Sequence, residues 1–135
     1  MDTYFDTNKC VERLFEEWKK HPKLIIACDF DDTVFDCHRK GHNFDKVFDL
    51  LKECKQLEFY VVIFTAGKIE RYPFITQYME DHGVKIDGIN QNPIPLPYGN
   101  NVKIYANIFL DDRAGLFQAA TILLMLINKI KSQTK

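Results

Sequence analysis

The fold of this 135-residue chain is decided by one stretch, Leu24-Ile25-Ile26-Ala27-Cys28-Asp29-Phe30-Asp31-Asp32-Thr33. An apolar, β-branched run that stops at acidic residues predicts a buried strand with Asp29 and Asp31 at its carboxyl end. Residues two apart leave a strand on the same face, so both carboxylates can reach one ligand if the chain stays extended as far as Asp31. Open parallel sheets place their ligands at that edge, and like charges so close together require a cation or a shared proton. The stretch therefore predicts a ligand site at the end of a buried strand.

Two further apolar runs end in polar side chains. The run 59–64 stops at Thr65-Ala66-Gly67, and the run 104–110 stops at Asp111-Asp112. We expect helices over residues 7–20, 43–55, 69–82 and 115–131, strands over 23–29, 59–64, 84–89 and 104–110, and an Asn- and Pro-rich loop over 90–101. Gly83 is expected to close the third helix in the left-handed conformation. This alternation predicts an α/β three-layer sandwich with a mostly parallel sheet.

Composition limits the class of protein. With 135 residues, of which 46% are hydrophobic, residues 1–135 are expected to form a single domain with its own core. The 18 basic and 19 acidic residues give a net charge of −1, which offers no general attraction to nucleic acid or to an anionic membrane. Nucleic acid is therefore expected only as a substrate.

Cysteine usage and hydropathy indicate the compartment. The four cysteines, Cys10, Cys28, Cys37 and Cys54, are scattered, and Cys28 lies inside a predicted strand. This pattern favours a reducing, cytoplasmic setting over a disulfide scaffold. The longest apolar stretch, residues 119–127, is far shorter than the roughly 20 residues of a membrane span, and no signal segment opens the chain.

The ordered strand ends, Asp-x-Asp, then Thr, then Asp-Asp, resemble the haloacid dehalogenase (HAD) superfamily of phosphohydrolases. The resemblance covers residues 23 to about 115. It implies a Rossmann-like fold and a Mg²⁺-dependent phosphomonoester hydrolase that works through an aspartyl-phosphate intermediate.

The resemblance also implies roles for particular residues. Asp29 matches the nucleophile, and Asp31 matches the general acid that protonates the leaving group and then activates water. Asp111, with Asp112 as partner or substitute, matches the acidic motif that binds Mg²⁺ together with Asp29 and the backbone carbonyl of Asp31.

Phosphate binding is expected at the end of the second predicted strand. Thr65 matches the family's phosphate-binding hydroxyl, which acts with the next backbone N–H, here that of Ala66. Lys103, eight positions before Asp111, is our choice for the cation that neutralises the phosphate, and Lys85 and Lys68 remain open.

No segment is long enough to form a specificity cap over the site. The loop 33–44, here called the flap, is short, and residues 65–103 are occupied by a helix, a short strand and the Pro-rich loop. An open site suits a macromolecular substrate such as a phosphoprotein or a nucleic-acid end, or a small phosphate enclosed by a neighbouring subunit. Four residues of the flap are candidates for contacts with substrate: His38, Arg39, Lys40 and His42.

Other interpretations remain. Cys37-His38 has zinc-ligand types, but no second pair at ligand spacing accompanies it, so a polar flap is preferred. The Asp111-Asp112-Arg113 pattern is shared with 5′(3′)-nucleotidases of the superfamily. A receiver-like or regulatory phosphate-binding module without catalysis is the alternative from another class, although the middle strand of a receiver ends in Asp and this one ends at Thr65.

The closing helix is apolar on most of its sides. If its core face carries Leu116, Leu123, Leu124 and Ile127, an opposite apolar face remains, formed by Phe117, Ile122, Met125 and Leu126. Soluble proteins usually bury a patch of this kind. A homodimer is one way to cover it.

Overall fold

We describe residues 2–96 and 103–133 from a computed structural model of the chain. Residues 97–101 of the expected Pro-rich loop lie outside the described residues. The elements in chain order are a 3₁₀ helix (Thr3–Phe5), α1 (Thr7–Lys20), β1 (Ile25–Asp29), α2 (Asp45–Gln56), β2 (Tyr60–Phe64), a second 3₁₀ helix (Ile69–Arg71), α3 (Tyr72–Asp81), β3 (Gly88–Ile89), β4 (Ile108–Leu110) and α4 (Leu116–Gln133).

The four described strands form one parallel sheet in the order β3-β2-β1-β4. Parallel neighbours need crossover connections, and α2 and α3 supply those from β1 to β2 and from β2 to β3. In the register, Cys28 of β1 lies opposite Ile63 of β2 and Leu110 of β4. The arrangement confirms the expected fold class, an α/β sandwich with a Rossmann-like parallel sheet flanked by helices.

The main core lies on the face of the sheet that carries Ile26, Cys28 and Val61, whose side chains are at most 1% exposed. Side chains from all four helices join this cluster. On the other face, Ile25 and Tyr60 line a cavity of about 470 Å³ together with loop residues that include Ile94 and Leu96. Residues 94–96 of the Pro-rich loop thus lie beside this second face.

Element boundaries were predicted best where local signals are strong. The bounds of α1 match those expected, because Asp6 caps its first turn by accepting the backbone N–H of Lys9. Gly83 closes α3 at φ +86°, as expected. The expected helix 69–82 is divided because Pro73 occupies the first turn of α3, where no backbone N–H is required, and a 3₁₀ turn precedes it.

The last two strands are shorter than expected. Val84 donates its N–H to Met79, so the chain is still completing the end of α3, and pairing with β2 begins only at Asp87, whose N–H bonds Val61. Pairing of β4 with β1 starts at Asn107, whose N–H reaches the carbonyl of Ile25. Residues 104–106, expected to begin this strand, therefore form a connection.

Helix α4 is buried differently from the expectation. Ile122 and Leu126, expected on the open face, are 8% and 0% exposed, whereas Leu124, expected inside, is 49% exposed. The reason is that α4 packs against α1, α2 and β4 together, which widens its buried arc. The homodimer stays a prediction that now depends mainly on Phe117, 88% exposed, and Leu124. None of the helices in the described ranges is long and apolar enough to cross a membrane.

Two neighbouring leucines of α4 provide a matched test of this packing. Leu123→Ala should lower the free energy of unfolding by about 2–5 kcal/mol, because it empties a fully buried position. Leu124→Ala should cost about 1 kcal/mol or less. Urea unfolding of both variants measures the difference. Equal losses would contradict the orientation of α4.

Candidate active site

Three carboxylates meet at the carboxyl edge of the sheet. Because Cys28 lies opposite Leu110, the residues that follow, Asp29 and Asp111, leave adjacent strands side by side. One carboxylate oxygen from each of Asp29, Asp111 and Asp112 lies within 4.8 Å of the others. The structure therefore brings together three of the four predicted metal-site residues.

Thr33 joins two of these carboxylates, a role that the sequence analysis missed. Its hydroxyl lies 3.1 Å from Asp29 Oδ2 and 3.1 Å from Asp112 Oδ1, and it accepts the N–H of Asp112 at 3.0 Å. A hydroxyl has one proton, which it can donate to only one carboxylate at a time. The other carboxylate is then left without a hydrogen bond from Thr33. Thr33 is fully buried because the chain turns back after β1, where the carbonyl of Phe30 accepts successive backbone N–H groups.

The crowding changes the acidity of Asp29. Burial, hydrogen bonding to Asp112 and the charge of Asp111 raise the pKa of Asp29 to about 7, and the hydrogen bond from Thr33 opposes the rise only in part. A cation would favour the ionised form. The group of ligands consists of carboxylate oxygens, the donors that Mg²⁺ prefers, so these residues fit the expected metal.

Asp31 has a different partner. Its two oxygens accept hydrogen bonds from Arg71 Nη2 and Nη1, both at 2.8 Å. The guanidinium carbon of Arg71 lies 5.3 Å from the ring centroid of Phe30 and 5.6 Å from that of Phe35. The Asp31 side chain therefore lies outside the group of three carboxylates, and metal binding through its backbone carbonyl stays a prediction.

The loop of residues 65–67, where phosphate binding is expected and which we call the phosphate loop for that reason, follows β2 at the same edge of the sheet. Thr65 Oγ1 accepts the N–H of Gly67 at 3.0 Å, and Ala66 is exposed between them. A Cβ atom on Gly67 would lie 3.3 Å from Thr65 Oγ1 and 3.4 Å from Arg71 Cδ. Arg71 thus packs against this loop while it holds Asp31.

Asn90 fixes the phosphate loop from β3. Its Oδ1 accepts the N–H of Thr65 at 2.8 Å, and its Nδ2 donates to the carbonyl of Thr65 at 2.8 Å. Asn90 has a φ of +55°, which Asn tolerates better than most residues. Its side chain therefore replaces the next step of the strand ladder.

For the expected phosphate lysine, the described residues show no contact with the site, and its role stays a prediction. Lys103 is exposed and stands four residues before Asn107, which pairs with Ile25 at the amino end of β1, whereas Asp29 lies at the carboxyl end. Within residues 2–96 and 103–133, Lys103 makes no ion pair. Lys85 is exposed before β3, and Lys68 is exposed directly after the phosphate loop. Arg71, which the sequence analysis did not consider, is the described cation that contacts both Asp31 and this loop.

Comparisons with known proteins add support for the fold. No protein-family model matches the chain, and no curated sequence matches it. The solved structure of a conserved protein from Bacteroides thetaiotaomicron is 22% identical to it, with a TM-score of 0.62. The alignment covers 78% of this chain and 90% of that protein. At this identity, the likeness establishes the α/β fold and carries no information about the chemistry of the site.

The raised pKa of Asp29 predicts a pH effect on the metal-free protein. The folded-state pKa of about 7 lies above the unfolded value of about 3.9, so the folded protein binds more protons between them and loses stability as pH rises through that window. With a chelator present, Asp29→Asn should become increasingly more stable than the wild type from about pH 4 to about pH 7, and the difference should level off above that. Thermal unfolding measures this difference. The exposed control Asp49→Asn should show no such trend, and parallel curves for Asp29→Asn and wild type would contradict the site electrostatics.

Proposed function

We propose that this chain is a Mg²⁺-dependent phosphomonoester hydrolase of the HAD type, acting through an aspartyl-phosphate on Asp29. The observation that carries the proposal is the convergence of Asp29, Asp111 and Asp112 at the edge where Thr65 begins the phosphate loop. Capping of helices or turns accounts for single acidic residues at such positions. It does not account for three carboxylates from two adjacent strands directed at one point.

In the proposed reaction, a carboxylate oxygen of Asp29 attacks phosphorus, and the bond to the leaving oxygen breaks. Asp31 supplies the proton that the leaving oxygen takes up. Asp31 then accepts a proton from water, whose oxygen attacks the aspartyl-phosphate and releases inorganic phosphate. Asp29, Asp111 and Asp112 would hold Mg²⁺, whose positive charge would favour ionised Asp29 and offset the phosphoryl charge.

Arg71 is proposed as the phosphate-neutralising cation in place of Lys103. A guanidinium presents paired N–H donors that match two oxygens of a phosphoryl group. Arg71 already uses this geometry on Asp31, and its side chain packs against the phosphate loop. A phosphoryl group bound at Thr65 would therefore compete with Asp31 for the same donors.

The surroundings of the site favour an open approach for substrate. His38, Arg39, Lys40 and His42 of the flap are all exposed. Asp36 holds the flap backbone by accepting the N–H groups of Lys40 at 3.1 Å and Gly41 at 2.7 Å. This arrangement supports phosphorylated ends of larger molecules as substrates, with nucleotides and sugar phosphates as the small-molecule alternative.

Asp29→Asn should reduce turnover of any accepted phosphomonoester by about a thousandfold or more, because the amide keeps the size of the side chain and removes the nucleophile. The assay is phosphate release in Mg²⁺ from sugar phosphates, nucleotides, phosphopeptides and phosphorylated oligonucleotides, with Asp49→Asn as the control. Chelation should abolish release and Mg²⁺ should restore it. Equal turnover by the folded Asp29→Asn variant and the wild type would refute the mechanism.

Arg71 and Lys103 can be distinguished by their effect on phosphate affinity. Arg71→Ala should weaken inhibition by inorganic phosphate about tenfold or more, since charge-assisted hydrogen bonds are lost, and Arg71→Lys should recover part of it. Lys103→Ala should leave the inhibition constant unchanged. The opposite ranking would restore Lys103 to the role that the sequence suggested.

A further inference from the structure

The turn after β1 assembles a second group of metal-ligand side chains, separate from the three carboxylates. A carboxylate oxygen of Asp32, Sγ of Cys37 and a ring nitrogen of His38 all lie within 4.8 Å of one another. Two backbone hydrogen bonds to the carbonyl of Phe35 form the turn: the N–H of Asp32 at 2.8 Å and the N–H of Cys37 at 2.9 Å. The turn thus brings Cys37 and His38, which follow Asp32 by five and six positions, close to the Asp32 carboxylate.

One oxygen of the Asp32 carboxylate lacks a hydrogen-bond partner. Its Oδ1 is shielded from solvent and has no hydrogen-bond partner among the described residues. Its Oδ2 lies 3.9 Å from Nε2 of His38, too far for a hydrogen bond. The thiol of Cys37 hydrogen-bonds to this carboxylate, but a thiol is a weak donor. A shielded carboxylate oxygen with so little compensation is unfavourable, so the position favours a cation.

A neighbouring aspartate shows the contrast. Asp36 lies on the same segment, and both of its oxygens accept backbone N–H groups, from Lys40 and Gly41. Loop formation therefore explains Asp36 fully. It does not explain the shielded Oδ1 of Asp32 or the approach of the Asp32 carboxylate to Cys37 and His38.

We propose that Asp32, Cys37 and His38 bind a zinc ion, with water in the fourth coordination position. One thiolate, one imidazole and one carboxylate form a mixed donor set that suits Zn²⁺ and not Mg²⁺. The sequence alone disfavoured zinc because Cys37-His38 has no second pair at ligand spacing. The fold supplies the missing ligand from Asp32, which no spacing motif would have selected.

The position of the site suggests what the ion does. Cys37 lies within electrostatic range of both Asp31 and Arg71. The flap backbone donates hydrogen bonds from Lys40 and Gly41 to Asp36, and most of the polar side chains that follow Cys37 are exposed. Zinc would fix the start of the flap beside the Asp31–Arg71 pair, a role that is independent of whether the chain hydrolyses phosphate esters.

Cobalt titration tests the site without reference to activity. Co²⁺ added to the metal-free protein should produce a thiolate-to-metal charge-transfer band, which Zn²⁺ should then displace at one equivalent. The carboxylate group of Asp29 cannot give this band because it has no sulfur. The other cysteines, Cys10, Cys28 and Cys54, are buried.

Matched variants assign the ligands. Cys37→Ser should abolish the band, and His38→Gln and Asp32→Asn should each weaken Co²⁺ binding at least about tenfold, since even loss of a supporting contact to a ligand costs that much. Asn suits the backbone of Asp32, whose φ is +59°, so this change tests the charge and not the turn. His42→Gln, on the same flap, should bind as the wild type does.

Three results would overturn the proposal. These are the absence of the band in the wild type, its persistence in Cys37→Ser, and unchanged affinity in both His38→Gln and Asp32→Asn. Circular dichroism of each variant confirms that the fold is retained.

Discussion

The parallel register between β1 and β4 forces Asp29 and Asp111 to leave the sheet side by side, and the rest of the site depends on this crowding of negative charge. The ladder that buries Cys28 and Leu110 fixes the backbone beside both residues, so only rotation of the side chains can separate the two carboxylates. Thr33 relieves part of the strain with a single hydroxyl proton, which is too little for two carboxylates. Burial, together with this crowding, raises the pKa of Asp29 to about 7. A divalent cation removes the conflict more completely than a proton does, because it favours all three carboxylates in their charged form.

The second charge pair depends on an aromatic cluster. Phe30 and Phe35 stack with ring centroids 5.2 Å apart, and Tyr78 of α3 meets both rings edge-on. Arg71 lies over Phe30 and Phe35 and reaches Asp31 from there. Packing in the core thus determines where the guanidinium lies, and α3 is coupled through Tyr78 to the turn that carries the proposed acid. Arg71 is held beside the phosphate loop at little entropic cost on binding, since its rotamer is already fixed.

Local signals in the sequence were sufficient for much of this structure. The apolar run before Asp29, the cap at Asp6 and the glycine after α3 each determine their element through nearby residues, so these predictions hold. Thr33, Arg71 and Asn90 could not be found in this way, because their importance comes from partners brought close by the fold. Arg71 meets Asp31 across 40 residues of chain, and Asn90 meets Thr65 across 25. Lys103 was selected by spacing along the chain, which says nothing about the end of the sheet at which a residue lies.

The two proposed metal sites differ in the chemistry of their donors, and this difference would keep their ions apart. Asp29, Asp111 and Asp112 offer only carboxylate oxygens, which hold Mg²⁺ while leaving it part of its water shell. Asp32, Cys37 and His38 add sulfur and nitrogen, which bind zinc far more readily than magnesium. Because Asp29 and Asp32 are only three residues apart, a single turn of backbone would carry both sites. Asp31 lies between Asp29 and Asp32 in sequence and is held in place by Arg71. Any shift of the flap at Cys37 would then act on Asp31.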